Sequence, residues 1–222
     1  MAFVSNMTRS FAKAAKKGKS DQIGLVTVSD FWFQDLITVW DRHTILTDRE
    51  FGTRVAWESA LPAREKQLRE NFEQELDNED LYFVNSLDNI ILFSQLPRMF
   101  YPNTAKALEY DEFALEMTKF LLPGVKKMPC FEALFVLQPL MHSEEMMDVS
   151  LCVRELEAIR DHVKSRGLRH SGNIIDKNVE RAKMHQAIVA KFDRYPQRNE
   201  VLERESTAEE LEYLKKPMPL DF

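Results

Sequence analysis

The sequence has few of the residues that interrupt helices. Its 222 residues include only 6 Gly and 9 Pro, and these two residue types form many of the turns that an all-β fold requires. Leu, Ala, Glu, Lys, Arg, Met and Phe are abundant instead, which favours helices. The composition predicts an all-α fold, in a chain long enough to bury the core of one domain.

Long apolar runs are also absent. A membrane-spanning helix needs about 18 to 20 consecutive apolar residues. The longest candidate, residues 128–141, is interrupted by Glu132 and Gln138. The sequence therefore predicts no transmembrane segment.

Cysteine is scarce. Cys130 and Cys152 both lie within apolar helical patterns, which is typical of buried free thiols in a reducing compartment. We therefore predict a cytoplasmic protein.

Most of the chain has an excess of acidic residues. The formal net charge is −6. Five basic residues and no acidic ones occur in residues 1–20, so residues 21–222 carry a net charge of −11. A body this acidic repels phosphate backbones, so we expect no nucleic-acid binding.

The first 20 residues differ in character from the rest. They mix Phe3, Val4, Met7 and Phe11 with the basic residues, without the uninterrupted apolar stretch of a secretory signal. We predict that residues 1–27 form a basic, flexible segment and that residues 28–222 form one all-helical domain. Two other interpretations stay open. The segment is an organellar transit sequence, which would place the protein in an organelle, or a basic surface helix.

Apolar residues recur at three- and four-residue spacing, as in amphipathic helices. This pattern predicts seven or eight helices and no strand. A last, short helix is predicted to start at a capping box at residues 206–209 and to run to Leu214. The other predicted helices run from Ser29 or Asp30 to about Trp40, from Pro62 to about Leu76, from Leu81 to Phe93, from Asp111 to Pro123, and over 128–140, 144–164 and 174–192. The breaks between them are short, so we expect stacked antiparallel helical hairpins. No fixed-period repeat accompanies them.

Several catalytic signatures are missing. The sequence contains no Gly-rich phosphate loop, no Gly-x-Ser-x-Gly, no Cys-x-x-Cys and no His-Glu-x-x-His. These absences argue against the nucleotide-binding, hydrolase, zinc-binding and metalloprotease classes, which are recognised by such motifs. The sequence thus implies no cofactor and no metal.

Four short stretches place polar groups at helix ends beside apolar runs. They are Asp30-Phe31-Trp32-Phe33, Gln95-Leu96-Pro97-Arg98, His142-Ser143-Glu144 and Arg194-Tyr195-Pro196-Gln197-Arg198-Asn199. In this order and at these distances, over residues 28 to 215, they resemble the bacterial domain of unknown function 924 family. The resemblance implies a fold similar to that of tetratricopeptide-repeat proteins, and no established activity.

The chain departs from this family at two positions. Members usually have Asp-Gln-Phe-Pro-Arg where this chain has Ser94 at the first position, and Phe-Pro-His-Arg-Asn where it has Gln197 at the third. A carboxylate and an imidazole are therefore missing. If the family performs chemistry through those two groups, this chain has lost it or uses its pocket differently.

Eight polar residues in or near these stretches form the candidate ligand-binding set. They are Gln95, Arg98, His142, Glu144, His185, Arg194, Arg198 and Asn199. Because they lie near helix ends in separated segments, we expect six of them to converge at one end of a bundle: Gln95, Arg98, His142, Glu144, Arg198 and Asn199. A small anion is the ligand we expect, since guanidinium groups bind carboxylates and phosphates bidentately.

The same residues also have purely structural interpretations. His142 and Glu144 either act as an acid/base pair or have structural roles. In the structural interpretation, His142 hydrogen-bonds a neighbouring helix end, and Ser143 or the adjacent acids cap the helix that follows. Arg98 and Arg198 either clamp an anion, or bond free carbonyl groups and pair with Glu144. His185, which lies on an apolar stripe, is either a core histidine or faces an interior pocket.

Three functions follow from these alternatives. The first is a helical binding module with a polar pocket for a protein partner or a small anionic ligand. The second is an enzyme in which His142 and Glu144 act as acid/base pair and the arginines hold the substrate. The third is a structural subunit of a larger assembly, for which an organelle is one location. Trp32 and Phe33 are expected to pack in the core in all three cases.

Overall fold

The computed structural model describes residues 27–33, 63–165, 167 and 169–216. All regular structure in these residues is helical. The α-helices are α1 (Val28–Trp32), α2 (63–72), α3 (Leu87–Ser94), α4 (Leu96–Phe100), α5 (Asp111–Leu121), α6 (Cys130–His142), α7 (Met146–Ser165), α8 (Arg169–Phe192) and α9 (Ala208–Leu214). Short 3-10 helices cover Glu73–Asp77, Glu79–Leu81, Ala105–Leu108, Leu122–Lys127 and Pro196–Arg198. The predicted all-α fold is confirmed.

Helix α6 lies at the centre of the packing. It contacts α3, α5, α7 and α8, and nine of its 13 residues are buried. The sequence of α6 is apolar on nearly every face because neighbours surround it. The aromatic rings that follow the N-terminal segment pack against it as predicted: Trp32 and Phe33 are buried, and both make edge-on contacts with Phe135.

Helices α7 and α8 form an antiparallel hairpin. Polar contacts join Lys164 to Asp176 near one end, Glu157 to Lys183 in the middle and Ser150 to Gln186 near the other. Residue numbers that rise along one helix therefore fall along the other. Gly167 has a φ of 75° in the turn between them, a conformation that glycine adopts without strain. The predicted hairpin packing holds for this pair, while the tetratricopeptide-like arrangement of the whole domain stays a prediction.

Two helix starts differ from those predicted. Helix α3 begins at Leu87 and not at Leu81, because the Ser86 hydroxyl caps it by accepting a hydrogen bond from the Asn89 amide at 3.1 Å. Val84, which lies within the predicted helix from Leu81 to Phe93, is instead exposed in the loop before α3. Helix α8 begins at Arg169, five residues earlier than the apolar pattern indicated.

The last helix has its capping box one residue later than predicted. Thr207 accepts from the Glu210 amide, and the Glu210 carboxylate accepts from the Thr207 amide. Ser206 is free for another contact as a result. The prediction for residues 1–26 concerns a segment that lies outside the described residues.

Cys130 and Cys152 form no disulfide, in agreement with the prediction; Cys152 is buried and Cys130 is partly buried. Within the described ranges, no helix is both long enough and apolar enough to cross a membrane.

Candidate anion-binding site

Arg98 projects from the short helix that follows α3. Pro97 occupies an early position of α4, where it needs no amide hydrogen, and Arg98 follows it. The Arg98 guanidinium donates to both carboxylate oxygens of Asp111, at 2.6 and 2.8 Å, and to the Ser94 carbonyl at 2.9 Å. Arg98 thus forms a bidentate ion pair and also bonds a free carbonyl at the end of α3, as the structural interpretation predicted.

His142 is the last residue of α6 and contacts the end of α3. Its Nδ1 lies 3.3 Å from the Ser94 hydroxyl, to which the Gln95 amide donates at 2.9 Å. This contact agrees with the predicted hydrogen bond to a neighbouring helix end. Burial, followed by the positive charges of Arg98 and Arg198, holds the pKa of His142 well below its usual value. The ring is therefore neutral at pH 7.

Glu144 is held by contacts from the C-terminal part of the chain. Its carboxylate accepts two hydrogen bonds from Arg204, at 2.7 and 2.9 Å, and one from the Tyr195 amide at 3.0 Å. Burial alone would raise the pKa of Glu144, but these hydrogen bonds outweigh it and the pKa is lowered. Glu144 is an ionised, fully engaged carboxylate and does not contact His142 as an acid/base partner in any hydrogen bond of the described residues.

Arg198 is buried, and its predicted ion pair with Glu144 is present but long. It ends the 3-10 helix Pro196–Arg198 and is 7% exposed. Its guanidinium lies 4.6 Å from the centroid of the Tyr195 ring, and the nearest carboxylate oxygen of an ion pair is that of Glu144, at 3.9 Å. That distance is too long for a hydrogen bond. Burial lowers the pKa of Arg198, yet a guanidinium stays charged in proteins.

Residues close to Arg198 in sequence also have buried polar atoms without a hydrogen-bond partner among the described residues. The buried atoms without a hydrogen-bond partner in the described part of the chain include the Arg198 Nε, both amide atoms of Gln197, the Asn199 Oδ1 and the Arg204 Nε. Buried polar groups in native proteins nearly always find a partner. Their concentration within eight residues therefore points to a bound group or to ordered water.

His185 lies in the core beside Tyr195. It is 1% exposed, and its Nδ1 is 3.1 Å from the Tyr195 hydroxyl. Because that hydroxyl donates to the Met141 carbonyl at 2.6 Å, the Nδ1 of His185 acts as the donor to it. Burial, with Arg181 and Arg198, lowers the pKa of His185 to about 3. The core-histidine interpretation describes this residue.

Arg194 serves the C-terminal helix and not the anion site, and Asn199 makes one of its side-chain hydrogen bonds to the residue before that helix's capping box. Arg194 makes a bidentate ion pair with Glu210, at 2.6 and 2.7 Å, and donates to the Glu205 carbonyl. The Asn199 amide donates to the Ser206 hydroxyl at 3.0 Å. Arg194 also lines an open depression beside α9, but its charge is already neutralised there.

The structure thus brings together part of the predicted set. Gln95, Arg98 and His142 meet through Ser94, and Arg198 acts electrostatically on His142. Sequence reasoning missed Asp111 and Arg204, the residues that pair with Arg98 and Glu144. Neither position carries a local signal, since each partner is 13 or 60 residues away in sequence.

No group of three or more His, Cys, Asp or Glu side chains in the described ranges is arranged to hold a metal ion.

Comparison with known proteins identifies relatives without a known activity. A family described as "Bacterial protein of unknown function (DUF924)" matches residues 28–218. A solved structure of a protein of unknown function from Agrobacterium tumefaciens is similar, with a TM-score of 0.51 and 20% identity over 85% of this chain and 94% of that chain. At this identity the likeness concerns the fold alone. Comparison with the curated proteins finds no match.

Proposed function

We propose that this chain, which belongs to the bacterial DUF924 family of unknown function, binds a small anion beside Arg198. The observation that carries the proposal is a buried guanidinium that has no carboxylate of the described residues at hydrogen-bond distance. A carboxylate or phosphate group on a ligand supplies the missing negative charge.

Among the described residues, the carboxylates near Arg198 are bound more closely by other arginines. Asp111 is bound bidentately by Arg98 and Glu144 by Arg204. Arg198 has only a long ion pair, with Glu144 at 3.9 Å. A buried charge that is paired so weakly is costly.

Uncharged groups near this charge suit an anionic ligand with additional polar atoms. Gln197 offers a donor and an acceptor, and Asn199 offers an acceptor. His142 is neutral, so it adds hydrogen-bonding capacity without a second charge. A small carboxylate or phosphate compound that also carries hydroxyl or amino groups matches these atoms.

The enzyme alternative has less support. An efficient general base has a pKa near the working pH, whereas the pKa of His142 lies well below its usual value. Its Nδ1 faces the Ser94 hydroxyl and not a carboxylate that would raise that pKa. No observation specifically favours the structural-subunit alternative.

The test is anion-dependent thermal stability of the wild-type chain and two variants. We expect inorganic phosphate or a small dicarboxylate to raise the melting temperature above that in chloride of equal ionic strength. At about 100 times the Kd the gain is about 2.7 kcal/mol, or roughly 5 to 10 °C. Arg198→Met should remove this gain, because the variant lacks the weakly paired charge and keeps most of the apolar side chain.

Arg194→Met is the matched control. It deletes a guanidinium that Glu210 already neutralises, so the anion response should persist even if the variant is less stable. Equal responses of the wild type and Arg198→Met, or no response of the wild type to any of the anions, would refute the proposal.

A further inference from the structure

The loop before α3 presents apolar side chains to solvent. Phe83 is 67% exposed and Val84 is 43% exposed. The loop is held in place, because the Asn89 amide donates to the carbonyls of Leu81 and Val84, both at 3.0 Å. Two large apolar side chains are thus displayed on a fixed piece of backbone.

Several exposed carboxylates are close to these two side chains in sequence or act on the neighbouring Tyr82. Asp77, Glu79, Asp80 and Glu109 are exposed, and no Lys or Arg of the described residues forms an ion pair with any of them. Among the described residues, the Tyr110 hydroxyl donates a hydrogen bond to the Asp77 carboxylate at 3.0 Å, and this bond leaves the negative charge of Asp77 in place. We call Phe83, Val84 and these four acids the acid-rimmed patch.

Three of these four carboxylates act electrostatically on the same side chain, that of Tyr82. Burial first, and then Asp77, Glu79 and Glu109, raise the pKa of Tyr82, the residue next to Phe83. The pKa of Lys106 is raised by its contact with Tyr101 and, more weakly, by Asp77 and Glu109. Lys106 lies over the Tyr101 ring, at 4.5 Å from its centroid, and leaves the carboxylates without an ion pair.

The N-terminal part of the chain joins the body beside this patch. The described residues begin at Thr27, and the Ser29 amide donates to the Asp88 carboxylate at 2.8 Å. Asp88 lies four residues after Val84, on the first turn of α3. The 26 residues that precede Thr27 therefore start close to the acid-rimmed patch.

We propose that residues 1–20 dock on the acid-rimmed patch of their own chain. This segment has five basic residues and no acidic one, together with Phe3, Val4, Met7 and Phe11, so it is complementary to the patch in charge and apolar character. Residues 21–26 span at most about 20 Å when extended. The short tether gives a local concentration in the millimolar range.

The experiment uses the full-length chain. A carbodiimide joins lysine amines to carboxylates that touch them, so mass spectrometry should find links from Lys13, Lys16, Lys17 or Lys19 to Glu79, Asp80 or Glu109. Mixing isotopically light and heavy protein distinguishes links within a chain from links between chains. Docking should also slow tryptic cleavage at these lysines, and salt should relieve that protection because the exposed charges are screened.

Phe83→Ser should raise the rate of tail cleavage by about threefold to tenfold, because it removes the apolar part of the contact. Phe120→Ser is the matched control, since Phe120 is also 67% exposed but lies at the far end of α5. Links that join only different chains would assign the patch to a second copy and overturn the proposal. So would an absence of links to the patch, or the same cleavage rate in the wild type and Phe83→Ser.

Discussion

At the residue scale, Ser94 determines the character of His142. The hydroxyl at position 94 is the group that faces the Nδ1 of His142, at 3.3 Å. A hydroxyl satisfies the ring nitrogen but carries no charge to stabilise a protonated ring. Burial and the nearby arginines then lower the pKa of His142 without opposition.

Replacing Ser94 by Asp should raise the pKa of His142. The new carboxylate would face the ring at hydrogen-bond distance and favour its charged form, which the wild type disfavours. The titration of the ring protons, followed by NMR, measures the change. Ser94→Asn is the control, because it has nearly the same size as Asp without the charge and should leave the pKa low. An unchanged titration in a folded Ser94→Asp variant would contradict this account.

At the element scale, α9 depends on two interactions at its N-terminus. The capping box joins Thr207 and Glu210, and the same Glu210 carboxylate pairs bidentately with Arg194. Glu210 is 2% exposed. The Glu210 carboxylate thus takes part in the helix cap and in the ion pair with Arg194. Its negative charge also interacts favourably with the positive N-terminal end of the helix dipole. The helix has only seven residues, so it depends on these contacts.

Glu210→Gln should destabilise the protein by about 1 kcal/mol or more at pH 7, because the amide weakens both the cap and the ion pair. The hydrogen bond from Arg194 is the main cause that lowers the pKa of Glu210 to about 2 from 4.5. A lowered pKa means stability that is present above pH 4.5 and lost as the pH falls towards 2. Urea denaturation of both proteins should therefore show a difference that shrinks over this range. A difference that is constant with pH would contradict the role of the charge.

At the scale of the whole molecule, the interior contains basic groups that folding keeps neutral. His142 ends the central helix α6 and His185 lies on α8, and the charges of Arg98 and Arg198 act on both rings. In the unfolded chain a histidine binds a proton below about pH 6.5. The folded chain excludes that proton, since the pKa of His185 is about 3.

The stability of the whole protein should therefore fall as the pH drops below 6.5. The pKa of each histidine is lower in the folded than in the unfolded state, so its stabilising effect is complete above pH 6.5 and lost as the pH falls. Because of His185 alone, the free energy of unfolding should fall by about 2 kcal/mol as the pH drops from 6.5 to 5. Urea denaturation at pH 7 and pH 5 measures this loss.

His185→Gln should reduce the pH dependence while it lowers stability at pH 7, because the variant cannot take up the proton. His162→Gln is the control, since His162 is exposed at the end of α7. The same pH dependence in His185→Gln and in the wild type would show that the proton taken up on unfolding does not belong to His185.

The sequence determined the helical fold, most of the core and the free thiols, because these follow from local spacing. Residues three or four apart share a helix face, and the apolar faces of α6 and α7 could be predicted in that way. The sequence also marked Arg98, His142 and Arg198 as polar residues beside apolar runs. Turns were harder, and Leu87 begins a helix because the Ser86 side chain caps it.

Only the tertiary structure decided which charges meet. Arg98 pairs with Asp111 and Glu144 pairs with Arg204, so that Arg198 is left without a carboxylate of the described residues at hydrogen-bond distance. Arg194, which the sequence grouped with the site, pairs with Glu210 instead. An ion pair depends on a separation of a few ångströms between side chains far apart in sequence. That separation is fixed by the packing of the helices, which no local pattern encodes.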